Sequence, residues 1–287
     1  MGLDSNTPRG VLRLSCPDRM GIVAGVSTFL RDHACNILES AQFGDSQTRR
    51  FFMRVSFQST TCDVAELRGH FAQVAGDFGM WWEIRDMSVR QRVLMMVSRF
   101  GHCLNDLLYR FGIGALPIEI PAIVSNHRDL YQLAAAHGIP FHHLPVTPAD
   151  KPRRERQLME IFEEERCELV VLARYMQVLS PELCARLEGR AINIHHSFLP
   201  SFQGARPYQQ AHDRGVKLIG ATAHYVTAEL DEGPIIEQDV ARVDHAASLD
   251  DCVNTGRDVE CAVLARAVKW HAEHRVLVNG NRTVVFR

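Results

Sequence analysis

From residue 92 to residue 195, short apolar runs alternate with stretches whose apolar residues recur at helical spacing. Residues 92–98 (RVLMMVS), 118–126 (IEIPAIVSN), 139–146 (IPFHHLPV), 168–176 (ELVVLARYM) and 191–195 (AINIH) read as strands. Between them, 102–112, 128–138 and 153–167 read as amphipathic helices. Strands separated by helices pair in parallel and are covered on both faces, because each crossover lays a helix on the sheet. An α/β fold with a mostly parallel sheet follows. It would carry the polar segment after residue 193 to the carboxyl edge of the sheet, where open α/β folds bind ligands.

The first 86 residues follow a different order. Strand patterns at 11–15, 36–45, 50–58 and 81–87 are interleaved with helix patterns at 21–34 and 64–79, the second closed by Gly79. This is βαββαβ, the ferredoxin-like arrangement. The domain boundaries expected are therefore 1–86, a charged linker at 87–92, and 93–287. Within the second domain, 217–226 and 235–243 read as paired strands and 249–274 as a long helix. Residues 276–286 form two β runs about Asn279–Gly280, a hairpin signal.

Composition narrows the function classes. The 287 residues carry a formal net charge of −2, so nothing in the totals points to nucleic acid. The Arg49–Arg50 and Arg153–Arg154–Arg156 clusters read as solvated faces. Eight cysteines without a CxxC pair read as reduced thiols, and the chain shows neither a signal region nor a membrane span, which points to the cytoplasm. Residues 2 and 6 only superficially meet a myristoylation pattern, with Asn where Ser or Thr is required. The adjacent pairs His142–His143 and His195–His196 cannot easily grip one ion from one face, and no HExxH occurs, so no metal is expected. The absence of GxSxG, P-loop and GxGxxG motifs disfavours serine hydrolases, kinases and dinucleotide enzymes.

The segment AINIHHSFLP concentrates the chemistry. On a strand, alternate side chains share a face. Asn193 and His195 then point together and can both donate to one oxygen, the arrangement of an oxyanion site, while His196 points away. TAELDEGP, at 227–234, supplies a carboxylate in Asp231, which can order water beside an imidazole. Taken alone, Asp231 reads more readily as a turn residue.

Two resemblances add to this reading. CPDRMGIVAGVSTFLRDHACNILES, at 16–40, resembles the opening of ACT domains. That likeness implies pairing of chains into a dimer or tetramer. It leaves ligand binding and pure assembly as alternatives. A small amino-acid effector would sit near Asp18, Gly21 and Asn36. INIHHSFLPSFQGARPYQQA with LIGATAHYVTAELDEGPIIEQ resembles the folate enzymes that use 10-formyltetrahydrofolate, and is most similar to those that join an ACT domain to a Rossmann-like formyltransferase domain and hydrolyse the formyl group. The resemblance implies Asn193, His195 and Asp231 as catalytic residues. It also implies main-chain contacts to the pterin near Met176, Gln177 and Leu179, no cofactor beyond the folate substrate, and a place in one-carbon and purine metabolism. The chain departs from the transferring members at Gln177, where some have Arg, and at His196, where they have Pro. It departs again after the first strand of the second domain. There SRFGHCLNDLL has only Gly101 where a phosphate-binding loop needs small residues, so water is favoured as acceptor. Transfer to an amine, or a regulator that only binds folate, remain alternatives.

Overall fold

The computed structural model describes residues 9–59, 63–201 and 207–287. Cys62, the Gly2–Asn6 segment and residues 202–206 of the histidine-containing motif lie outside the described residues. The chain divides into two compact units. Among the described residues no helix is long and apolar enough to cross a membrane.

The first unit contains β1 (Arg9–Pro17), α1 (Ile22–Asp32), β2 (Cys35–Asp45), β3 (Arg50–Ser59), α2 (Val64–Phe78) and β4 (Trp81–Asp86). Its sheet has the order β2-β3-β1-β4 with every pair antiparallel. Leu12, Leu14, Met53, Val55 and Phe57 turn one face of the sheet toward the apolar stripes of α1 and α2. The other face is covered by chain that the sequence pattern assigns elsewhere. Glu273–Asn279 and Val284–Arg287 belong to this unit, so the second domain does not run unbroken to residue 287. The reason is apolar. Phe52, fully buried, points away from the helices and packs with Leu277 and Phe286. Polar ties fix the same strip: Arg54 donates to the Glu273 carbonyl at 3.0 Å, and the Asn279 amide to Asp45 at 2.7 Å.

The second unit starts at β5 (Gln91–Val97) and continues through α3 (His102–Gly112), β6 (Ile118–Glu119), β7 (Ile123–Ser125), α4 (Tyr131–Ala136), β8 (Phe141–His143), α5 (Lys151–Glu164), β9 (Leu169–Leu172), α6 (Pro181–Arg186), β10 (Ala191–His195), α7 (Pro207–Asp213), β11 (Leu218–Tyr225), β12 (Ile235–Arg242) and α8 (Leu249–Ala272). The remaining strands, β13 (Val276–Asn279) and β14 (Arg282–Val285), pair with each other. The main sheet runs β12-β11-β10-β9-β5-β7-β8. It is parallel from β10 to β8 and antiparallel at β11 and β12.

Three differences from the sequence pattern have local causes. Residues 118–126 break into β6 and β7 because Pro121, lacking an N–H, cannot continue a ladder. The strand expected over 168–176 stops at Leu172, and Arg174 adopts φ 66°, which turns the chain off the sheet. The helix α6 is missing from the sequence reading although Ser180 caps it, accepting from the Leu183 N–H at 3.2 Å, and Pro181 opens it.

The strand order reverses direction at β5. The chain fills β5, β7 and β8 outward on one side, then returns to place β9 and β10 on the other. A crevice forms at the carboxyl ends where neighbouring connections diverge. Ser98 stitches this edge. Its N–H donates to the Arg174 carbonyl at 3.2 Å, and its hydroxyl accepts from the Met176 N–H and donates to Asn126.

In the first unit, Glu83 on β4 faces Arg13 on β1 across the ladder and also takes Arg85. Burial alone would raise its carboxyl, but the two guanidiniums outweigh that and bring it down to about 2. A depressed carboxyl stabilises the fold above its unfolded value and loses that stabilisation as pH falls toward 2. Glu83→Gln is therefore expected to cost on the order of 2 kcal/mol in urea unfolding at pH 7. The gap to the unsubstituted protein should close as pH drops from about 4.5 to 2. A gap that persists at pH 2 contradicts the assignment.

Candidate active site

The crevice holds a cavity of about 350 Å³. Its walls come from the segment after β9, the end of β10, and the loop between β11 and β12. The register of β10 against β11 sets the first contacts: Asn193 lies opposite His224, and His195 opposite Thr222. Thr222 is buried and anchors the chain beyond β10. Its hydroxyl donates to the Ser197 carbonyl at 2.9 Å and accepts the Leu199 N–H at 3.1 Å.

Asp231 enters from the loop. It adopts φ 59°, a left-handed conformation that Asp tolerates better than most residues. The loop closes where Tyr225 N–H donates to the Pro234 carbonyl at 2.9 Å. Gly233 makes this approach feasible, since a Cβ there would lie 1.7 Å from the Tyr225 carbonyl oxygen. The result is convergence on one carboxylate. His195 Nδ1 is 3.1 Å from Asp231 Oδ2, Asn193 Nδ2 is 3.5 Å from Oδ1, and His224 Nε2 is 3.6 Å from Oδ1. Burial would raise the Asp231 carboxyl, but the His195 hydrogen bond and the polar groups gathered around it hold it well below the usual carboxylate range.

His224, only 2% exposed, is absent from the sequence reading. Its Nδ1 lies 2.9 Å from the Tyr225 carbonyl. A carbonyl only accepts, so the hydrogen sits on Nδ1 and leaves Nε2 to accept from the Asn193 amide at 3.2 Å. His224 thereby orients Asn193. The signal for it lay in TAHYV, whose alternation puts Thr222 and His224 on one face; only the β10–β11 register shows that this face is the one bearing Asn193.

His195 is 4% exposed, and its Nε2 has no hydrogen-bond partner among the described residues. With Nδ1 held by Asp231, that nitrogen is the group left for a reactant. His196 does not point away as strand alternation predicts. β10 ends at His195, so alternation stops there, and the His196 ring lines the same cavity 5.2 Å from that of His195. Burial, followed by the Arg174 charge, pushes the His196 imidazole down to about 3, so it is neutral.

Met176, Gln177 and Leu179 all line the cavity. The Met176 N–H is already committed to Ser98, which leaves its carbonyl for any main-chain contact. The three effector candidates do not converge within one chain. Asp18 sits against Gly44, while Asn36 lies eight residues back along β2, roughly 27 Å away at strand spacing.

Among the described residues, His102, Cys103 and Glu260 bring potential metal-ligating atoms within 4.8 Å. They do not suit a cation. The Glu260 carboxylate already takes His102 at 2.9 Å and the Tyr208 hydroxyl at 2.6 Å, with the Arg174 guanidinium 3.4 Å away.

Gly233→Ala is expected to lower stability by about 1–3 kcal/mol, the usual cost of overpacking, because the clash is with backbone. Gly112→Ala, where an added Cβ meets nothing within 4 Å, serves as the neutral control. Urea unfolding of both variants checks this; equal midpoints would remove the role given to Gly233.

Residues 91–268 match the formyl transferase family. A formyltetrahydrofolate deformylase from Corynebacterium sp. (strain P-1) is 52% identical over 285 residues, covering 99% of this chain and 100% of that protein. One from Bacillus subtilis (strain 168) is 46% identical over 286 residues, covering 99% and 95%. The crystal structure of a formyltetrahydrofolate deformylase from Burkholderia mallei ATCC 23344 superposes with a TM-score of 0.94 at 55% identity, covering 98% of this chain and all of that one. This chain belongs to the formyl transferase family and, within it, to the formyltetrahydrofolate deformylases.

Proposed function

We propose that the protein hydrolyses 10-formyltetrahydrofolate to tetrahydrofolate and formate in the cavity around Asn193, His195 and Asp231. The observation that carries this reading is the single carboxylate held by the His195 imidazole and the Asn193 amide, with the second nitrogen of His195 left open among the described residues. The largely apolar cleft edged by Met176, Gln177 and Leu179 suits the pterin of the substrate.

The reacting bond is a formamide, toward which water is a poor nucleophile. Asp231 orders the water and holds His195 by its Nδ1–H. Because the Asp231 carboxyl is strongly held in its ionised form, it is a weak proton store. The open Nε2 of His195 is the better acceptor. As water oxygen bonds to the formyl carbon, its proton passes to Nε2, and the resulting imidazolium is paired with Asp231. The carbonyl oxygen becomes an oxyanion. Asn193 can donate to it, since its contact with Asp231 is at the limit of a hydrogen bond and that hydrogen is the one released. The proton then moves from His195 to N10 as the carbon–nitrogen bond breaks, leaving tetrahydrofolate and formate.

The βαββαβ unit is read as an ACT domain that assembles chains into a homo-oligomer. β2 is an edge strand of eleven residues that exposes Ile37, Leu38 and Phe43, a surface suited to a second copy. An amino-acid site that used Asp18, Gly21 and Asn36 together would need two copies.

Formate release from 10-formyltetrahydrofolate with no amine present is the deciding assay. Strict dependence on an amine would instead favour transfer. Asn193→Ala and His195→Ala are each expected to lose about 10²–10³ in kcat, the scale of one lost oxyanion donor or more. Asp231→Asn should be at least as impaired. Near-normal turnover in a folded variant removes that residue from the mechanism.

A further inference from the structure

A second chamber, of about 540 Å³, opens beside the reacting cavity and shares Arg174, Met176 and His196 with it. Its inner wall is organised by Glu260, which is 1% exposed and fully engaged by Tyr208 and His102. Gly256, one turn earlier on α8, allows this, since a Cβ there would lie 2.2 Å from the Tyr208 ring. Burial would raise the Glu260 carboxyl. The His102 hydrogen bond, the Arg174 charge and the Tyr208 hydroxyl outweigh it, and Glu260 stays ionised.

The positive side of the chamber is not balanced in the same way. Arg174 is 8% exposed, and its Nε has no hydrogen-bond partner among the described residues; Glu260 is 3.4 Å off but out of line. The residue adopts φ 66°, a left-handed conformation that non-glycine residues rarely take. Strain of this kind gathers where a side chain is needed at one place. Arg257 lies over the Phe100 ring at 5.9 Å, and Arg174 over the same ring at 5.8 Å. Among the described residues two guanidiniums thus face one carboxylate, and His196 between the chambers adds no charge. A buried cation with incomplete hydrogen bonding calls for an anion.

We propose that this chamber is an anion site for a small monocarboxylate, the formate produced next door, with Arg174 as its main ligand and Arg257 as the outer cation. The assignment rests on the hydrolytic reading above, because that reaction makes a carboxylate within reach of Arg174. Guanidinium presents parallel N–H donors that match both carboxylate oxygens.

The test uses the full-length protein and two readouts. The first is broadening of the ¹³C-formate resonance without folate, with acetate and inorganic phosphate as competitors. The second is product inhibition by formate during turnover. Saturable broadening is expected, with acetate and phosphate competing more weakly than formate. Arg174→Gln should raise the formate inhibition constant at least about tenfold, the scale of one lost charge-assisted hydrogen bond. Arg257→Gln, a change at a partly buried position, should raise it several-fold. Arg174→Lys should fall between Arg174→Gln and the unsubstituted protein. The proposal is overturned by absent broadening, by an unchanged formate constant in a folded Arg174→Gln or Arg257→Gln variant, or by phosphate binding more tightly than formate. Turnover with no formate site defeats this inference alone. A protein that binds formate but makes none defeats the hydrolytic reading.

Discussion

The Asp231 carboxylate is the interaction on which the rest of the site depends. It is about one-tenth exposed, and a charge so placed is tolerable only if its lone pairs are filled. His195 fills one oxygen, while Asn193 and His224 gather at the other. Each of these partners is itself oriented: His224 by the Tyr225 carbonyl, Asn193 by His224, and His195 by Asp231. The chain of constraints ends at one ring nitrogen that none of the described residues holds. Much of the surrounding structure serves to keep that arrangement rigid, from the Gly233 close approach to the clamp that Thr222 places on the segment after β10.

Glu260 repeats the logic on the other side of the same edge. It too is a buried carboxylate filled by neighbours, but its cations outnumber it. Arg174 stands between the two centres and His196 beside it. His196 keeps its uncharged form through burial and through that same arginine. Were it charged, the boundary would carry a third positive group. Instead the excess is confined to guanidiniums, whose charge does not depend on pH in the physiological range. The chemistry of a neutral amide and the handling of an anion are thereby assigned to adjacent, electrostatically distinct spaces.

Much of this could be read before any coordinates. The apolar alternation located β10, and period-two reasoning put Asn193 and His195 on one face, where both meet Asp231. It failed one residue later, since His196 lies past the strand's last ladder position. Ser98, Arg174 and Glu260 left no usable mark, and His224 left only an alternation whose face the sequence does not assign. Each is a common residue type in an ordinary run, and each matters only through a partner 28 to 158 residues away in the hydrogen-bond network. The C-terminal segment misled for a related reason. VLVNGNRTVVF reads correctly as a hairpin, but nothing local says that Leu277 and Phe286 cover Phe52.

Local periodicity and turn chemistry thus determined the element types, the parallel character of the main sheet, and the strand end that carries the Asn-x-His pair. Those properties depend on neighbours within a few residues, so the string of residues contains them. Tertiary structure alone decided the β10–β11 register, the left-handed turns at Arg174 and Asp231, and which buried charges face one another. Such choices arise from packing and desolvation between distant segments, and the free energy that selects them belongs to no single stretch of chain.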